Sequence, residues 1–342
     1  MSERIGLNRG HGLRGGALAV WAALAVAGPT ESAVAKTTTF DVPNAHGTFA
    51  AAINSTGLIA GDYLDANNAA HGFLRNADGT FATFDPPNST GTYPFAINAK
   101  GAITGYYLDG AVIFHGFVRA GDGTITSFDA PEGTGATSAT AINDKGVIAG
   151  SYEDSSGAGH GFLRTANGKF RAFDPPGSGD TSVESINNMG AIAGYYAGDN
   201  GAYHSFVRAT DGTFTTFDVS GNVNGTFAFA NNDRGVVAGT WNNSRTGAFE
   251  GFVRGADGTI TTFNPSASAD TSVTAIDDKG AIVGYYDDSD NPYRGFVRSA
   301  SGAIASFAPS GSTATFARGI NGAITGSYLK NSGNYHGFVR SR

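Results

Sequence analysis

Five histidines, His71, His115, His160, His204 and His336, open the same short motif, His-Gly-Phe-Leu/Val-Arg, with Ser205 once in place of the glycine. Imidazoles in such regular supply could ligate a metal or carry protons, because the ring titrates near neutrality. A shared metal needs donors converging within about 2.0–2.3 Å of one ion. Equivalent positions of a repeat lie much too far apart for that, so neither metal nor cofactor is expected. A local partner fits better. An antiparallel hairpin would put His71 opposite Phe84 and beside Asp85, and the spacing recurs in the other copies. A structural His and Asp hydrogen bond in each copy is therefore the favoured reading, with a ligand-contacting rim as the alternative.

A position where one copy departs from the repeat is a better functional candidate than one common to all copies. Glu250 and Arg294 stand in two copies where the others have His. A second column, Ala51, Phe95, Thr140, Glu184, Ala228, Thr274 and Arg318, is small or apolar except for Glu184 and Arg318. These four charged residues are the ligand-binding candidates, although Glu184 and Arg318 could instead be merely hydrated. Asp287, Asp288 and Asp290 offer carboxylates of the kind Ca²⁺ prefers. They lack the glycine and terminal glutamate of a dedicated calcium loop, so a solvated loop is expected. Glu132, Glu153, Glu184 and Glu250 are the carboxylates from which a glycosidase pair would have to be drawn. No nucleophile elbow, phosphate-binding glycine loop or His-Glu-x-x-His occurs, and no catalytic residue is assigned.

The elements that must hold these residues follow from the repeat itself. Phe73, Phe117, Phe162, Phe206, Phe252, Phe296 and Phe338 recur every 42 to 46 residues, a period typical of four-stranded propeller blades. Within one copy, Thr140–Asn143, Val147–Tyr152, His160–Arg164 and Lys169–Asp174 read as strands a, b, c and d, each bounded by turn residues. Asp-Gly or Asn-Gly marks the c to d turns, for example Asp78-Gly79 and Asn167-Gly168, with Ser301-Gly302 the exception. The last copy stops after strand c, while Thr37–Phe40 near the other end matches a strand d. The expected fold is all-β, a seven-bladed propeller over residues 36–342 whose closing blade is completed by the N-terminal strand. Its b to c loops and d to a crossings would emerge on one face, long and variable, where binding is usually placed. The strand c phenylalanines and the aromatics ending strand b, Tyr63, Tyr107, Tyr152, Tyr196, Trp241, Tyr286 and Tyr328, are expected in the core. The arginines of the motif, such as Arg75 and Arg119, are expected to tie strand c to the acidic turn beside it.

The His-Gly-Phe motif, preceded by Ala-Ile-Asn, Gly-x-Ile-x-Gly and Tyr, resembles the bacterial HAF family of extracellular repeats over about residues 37–342. That resemblance implies secretion and repetition and is silent on activity. An export signal is also legible in residues 1–35: Arg4, Arg9 and Arg14, an apolar run from Ala17 to Gly28, and Ala33-Val34-Ala35 as a cleavage site. Removing three of 22 bases and two of 29 acids leaves a mature net charge of −8. Nucleic acid is a poor partner for such a surface. The chain is expected to be a monomer, secreted to the periplasm or beyond and not inserted in a membrane, acting as a binding scaffold for a glycan or surface protein. The alternatives are a propeller enzyme of lyase or glycosidase type and a purely structural surface repeat.

Overall fold

The computed structural model describes residues 35–341, apart from 135, 200, 267–269 and 289–290. The expected export signal, residues 1–35, lies outside the described residues except for Ala35, as does Asp290 of the acidic loop. The described chain is all-β, 28 strands arranged as four-stranded antiparallel blades, with no helix long and apolar enough to cross a membrane. The first blade runs through Gly47–Ile53, Ile59–Leu64, Ala70–Arg75 and Phe81–Phe84 as strands a to d. The blade containing Phe338 takes its strand d from the other end of the chain: Thr37–Phe40 pairs antiparallel with it, Thr37 opposite Arg340 and Phe40 opposite Gly337.

Packing between blades repeats with the sequence. Each strand c phenylalanine is almost completely buried and meets the strand d phenylalanine of the blade before it edge to face, as in Phe84 with Phe117 at 6.0 Å and Phe40 with Phe73 at 6.4 Å between ring centroids. Such geometry sets the positive edge of one ring against the negative face of the other. The same strand d ring lies over the motif glycine of its own blade. A Cβ on Gly72 would come within 2.7 Å of the Phe84 ring, and one on Gly161 within 2.6 Å of Phe173, which is why the motif carries glycine. The register corrects one expectation, because Gly72 rather than His71 stands opposite Phe84.

The arginines also differ from expectation. Arg75 lies over the Phe40 ring at 4.8 Å, Arg119 over Phe84 at 5.2 Å and Arg340 over Phe307 at 4.8 Å, so each guanidinium is a cation–π tie to the preceding blade. The acidic turn contributes only at a distance, as the charge of Asp78 acting on Arg75. Toward the axis, a belt of buried asparagine amides joins the a to b turns. Asn54 Nδ2 donates to the carbonyl of Asn98 at 2.9 Å, Asn98 to Asn143 at 3.0 Å, Asn143 to Asn187, Asn187 to Asn232 and Asn232 to Asp277. Each amide thereby offsets the cost of its own burial and fixes the end of an innermost strand against its neighbour.

Candidate functional site: an aromatic-walled channel

Every innermost strand carries one extra residue. The pairing of strands a and b skips between Ala50 and Ala52, Pro94 and Ala96, Ala139 and Ala141, Val183 and Ser185, Ala228 and Ala230, Val273 and Ala275, and Ala317 and Gly319. The bulged residues Ala51, Phe95, Thr140, Glu184, Phe229, Thr274 and Arg318 line the waist of the channel from both sides. A bulge re-aims a side chain that a regular pleat would hold elsewhere. Its geometry also requires the glycine of strand b, since a Cβ on Gly61 would stand 2.9 Å from the Cα of Ala50. The fifth member of this column is thus Phe229, where the repeat alignment had suggested Ala228. Ala228 is fully buried in the core, one residue out of step with the bulge.

Two of the waist residues are spent on neighbours. Thr140 Oγ1 donates to the Val183 carbonyl at 2.7 Å and Thr274 Oγ1 to the Ala317 carbonyl at 2.9 Å. Glu184 and Arg318 remain as its charges. Burial pushes the Glu184 carboxyl up from 4.5 to about 7. A third charge, Asp62 on strand b, joins them in a cavity of about 750 Å³ that opens toward the b to c loops. Desolvation raises Asp62 from 3.8 to about 7, even though its own backbone N–H and the charge of Arg318 pull the other way. Both acids keep some exposed surface because the channel is open, yet protein stands around them on most sides. Arg318 therefore acts on Asp62 in the adjoining blade rather than on Glu184. Its guanidinium also lies 5.2 Å from the Tyr285 ring centroid. Asp62 was discoverable in the sequence: its column reads Tyr106, Ser151, Tyr195, Thr240, Tyr285 and Ser327 in the other copies, and it alone is charged.

Above the waist the wall is aromatic. Tyr93 stacks on Tyr106 at 4.9 Å, and Tyr106 meets Phe95 and Phe114 at 5.4 and 5.0 Å. Tyr195 packs against Tyr203, Phe227 and Phe229 at 5.8, 5.1 and 6.0 Å. Tyr285, Tyr293 and Phe316 form a third group, with Phe49 and Tyr335 beside it. Phe95, Phe114, Tyr203, Phe249 and Tyr293 each remain 37–41% exposed. Single parallel bridges between blades, Phe114 with Ala136, Tyr203 with Gly225 and Tyr293 with Ala314, pin the backbone of three of them. These rings escape a column-by-column reading because no one column is aromatic throughout; they gather only when strands a, b and c are superposed.

The histidines lie elsewhere on the blades, stacked on the strand b aromatics, as His115 on Tyr107 at 5.1 Å. Each Nδ1 stands 2.7–2.9 Å from a carboxylate: His71 with Asp85, His115 with Asp129, His160 with Asp174, His204 with Asp218 and His336 with Asp41. Asp85 and Asp174 also accept from Thr92 and Thr181 of the next blade, at 2.6 Å, so the histidine belongs to an inter-blade tie. Glu250, in the histidine position of its blade, accepts from Asn243 Nδ2 at 2.8 Å within its own hairpin, and the Nε of half-buried Arg294 has no hydrogen-bond partner among the described residues. Neither lines the channel. Glu132 accepts from the Tyr152 hydroxyl at 3.3 Å and Glu153 is exposed at the end of its strand. No metal-binding cluster of His, Cys, Asp and Glu occurs among the described residues.

Solved structures share this architecture. A streptogramin B lyase aligns over 89% of this chain and 97% of its own at 13% identity, with a TM-score of 0.60. An inactive virginiamycin B lyase from Staphylococcus aureus aligns over 89% and 99% at 16% identity and 0.58. The β-propeller domain of the Trilobed protease from Pyrococcus furiosus, described as having an open velcro topology, aligns over 86% and 95% at 8% identity and 0.64. The chain is a β-propeller. At such identities the likeness carries the fold alone. No family model and no curated protein matches the sequence.

Proposed function

We propose that this β-propeller is an exported binding protein that takes a saccharide, such as a cell-surface glycan, at the b to c mouth of its channel. The aromatic wall carries the reading. Tyrosine and phenylalanine rings, half exposed and held by bridged backbone, present flat apolar faces beside hydroxyls and carboxylates, the combination that a sugar's apolar face and polar rim require. In this reading the ring has seven blades and is closed by Thr37–Phe40, supported by the edge-to-face contact of Phe40 with Phe73. Export rests on residues 1–35, and the HAF resemblance agrees with it. A glycan array on residues 36–342, run with a turnover screen on polysaccharides, tests the proposal. Retention of an array ligand without turnover supports it, and loss of that retention in Tyr106→Ala would locate the ligand at the mouth.

One observation favours a second reading. Asp62 and Glu184 both titrate near 7 inside the channel, the range in which a carboxyl serves as general acid or base. A lyase or glycosidase would be indicated by turnover that Glu184→Gln abolishes with the fold intact.

A further inference from the structure

A cavity of about 580 Å³ opens beside the channel, at the seam of the Phe252 and Phe296 blades. It has two aromatic walls. Tyr195, Phe227 and Phe249 form one, and Tyr285, Tyr293 and Phe316 the other. The space between them exists because Thr240 and Ser272 are small where the corresponding columns of other blades carry Tyr106 or Tyr195 and Phe49 or Phe227. Asp270 and Asp287 complete the lining, both exposed. Asp270 is held in place, since its Oδ1 accepts from the Phe249 N–H at 2.7 Å, and its carbonyl accepts from the Asp287 N–H at 2.9 Å. With Phe229, seven aromatic residues and two carboxylates line one space, an environment complementary to an organic cation. The positive charge nearby does not cancel it. Arg318 reaches the Tyr285 and Phe316 rings at 5.2 and 6.0 Å but does not line the cavity, and Arg294 follows Tyr293 along its strand and so is directed to the opposite face of the blade.

We propose that this cavity is a binding site for an alkylammonium group. Resting on the saccharide reading above, the ligand it selects is an amino sugar whose free amine is protonated. The pyranose stacks on the aromatic walls while the ammonium meets Asp270 and Asp287. A neutral N-acetylated sugar keeps the stacking and forfeits the charge.

Calorimetric titration with a β-1,4-linked glucosamine tetramer, its fully N-acetylated counterpart and choline tests this. The expected result is at least ten-fold tighter binding of the glucosamine tetramer than of the acetylated one. Asp270→Asn combined with Asp287→Asn should reduce that preference to within about two-fold and leave the melting temperature unchanged. Equal or tighter binding of the acetylated tetramer, or a preference that survives both substitutions, would overturn the site while leaving the saccharide reading in place. Choline bound through Asp270 and Asp287, with neither tetramer bound, would keep the ammonium site and overturn the saccharide reading. Binding of none of the three overturns the site.

Discussion

Glu184 is carried into the channel by a bulge and raised to about 7 by burial. A carboxyl whose folded pKa exceeds its unfolded value binds protons more tightly when folded, so the contribution of Glu184 to stability is greatest in acid and is lost as pH rises through about 7. Glu184→Gln removes that loss. Its unfolding midpoint should exceed the wild type's at pH 8 and approach it at pH 4, read by thermal scans at both values. His160 slopes in the same direction: hydrogen bonding to Asp174 raises it, so its contribution is full below the unfolded value and is lost as pH climbs through the folded one. The histidine ties are partly open to water, His115 being 21% and Asp129 54% exposed. His115→Ala should therefore cost about 0.5–1.5 kcal/mol by denaturant titration, the net worth of one hydrogen bond, and leave ligand retention intact. What the sequence showed at this scale depended on alignment. Glu184 and Arg318 stand out as single departures from a column, and Asp62 stands out by the same test. Phe229 was missed by one residue although it, too, was legible: it stands three residues before Asn232, as Thr140 stands before Asn143 and Glu184 before Asn187.

At the scale of the strand and hairpin, glycine sets tolerance. Gly161→Ala drives a methyl into the Phe173 ring and should destabilise by about 1–3 kcal/mol, the usual cost of overpacking, in an equilibrium unfolding series. The one blade with Ser205 in this position already differs: Ser205 donates to the Thr226 carbonyl at 2.8 Å. The strand Thr37–Phe40 is the second test at this scale. Phe40 closes against Phe73 and lies under Arg75, so Phe40→Ala should cost about 3–5 kcal/mol. Deleting residues 36–43 would leave the strand c of Phe338 with an unpaired edge and lower the unfolding midpoint further. Strand order, the Asp-Gly turns and the closing strand could all be read from the sequence, since each is a local pattern repeated many times. The aromatic partner of the motif arginines could not, because it belongs to the preceding blade and is separated from each arginine by about 35 residues.

For the molecule as a whole, the two ends of the channel differ in chemistry. One is a belt of amides and short turns, each donor matched to a neighbouring carbonyl, and the other is an open aromatic mouth. That asymmetry is invisible in any single repeat, and it is the ground for proposing recognition at the mouth. Hydrogen exchange measured with and without the strongest glycan-array ligand tests this most directly. New protection is expected in the b and c strands at the mouth, within residues 103–116 and 192–206, with the a to b turns around Asn98 and Asn187 unchanged. Protection confined to those turns would contradict it.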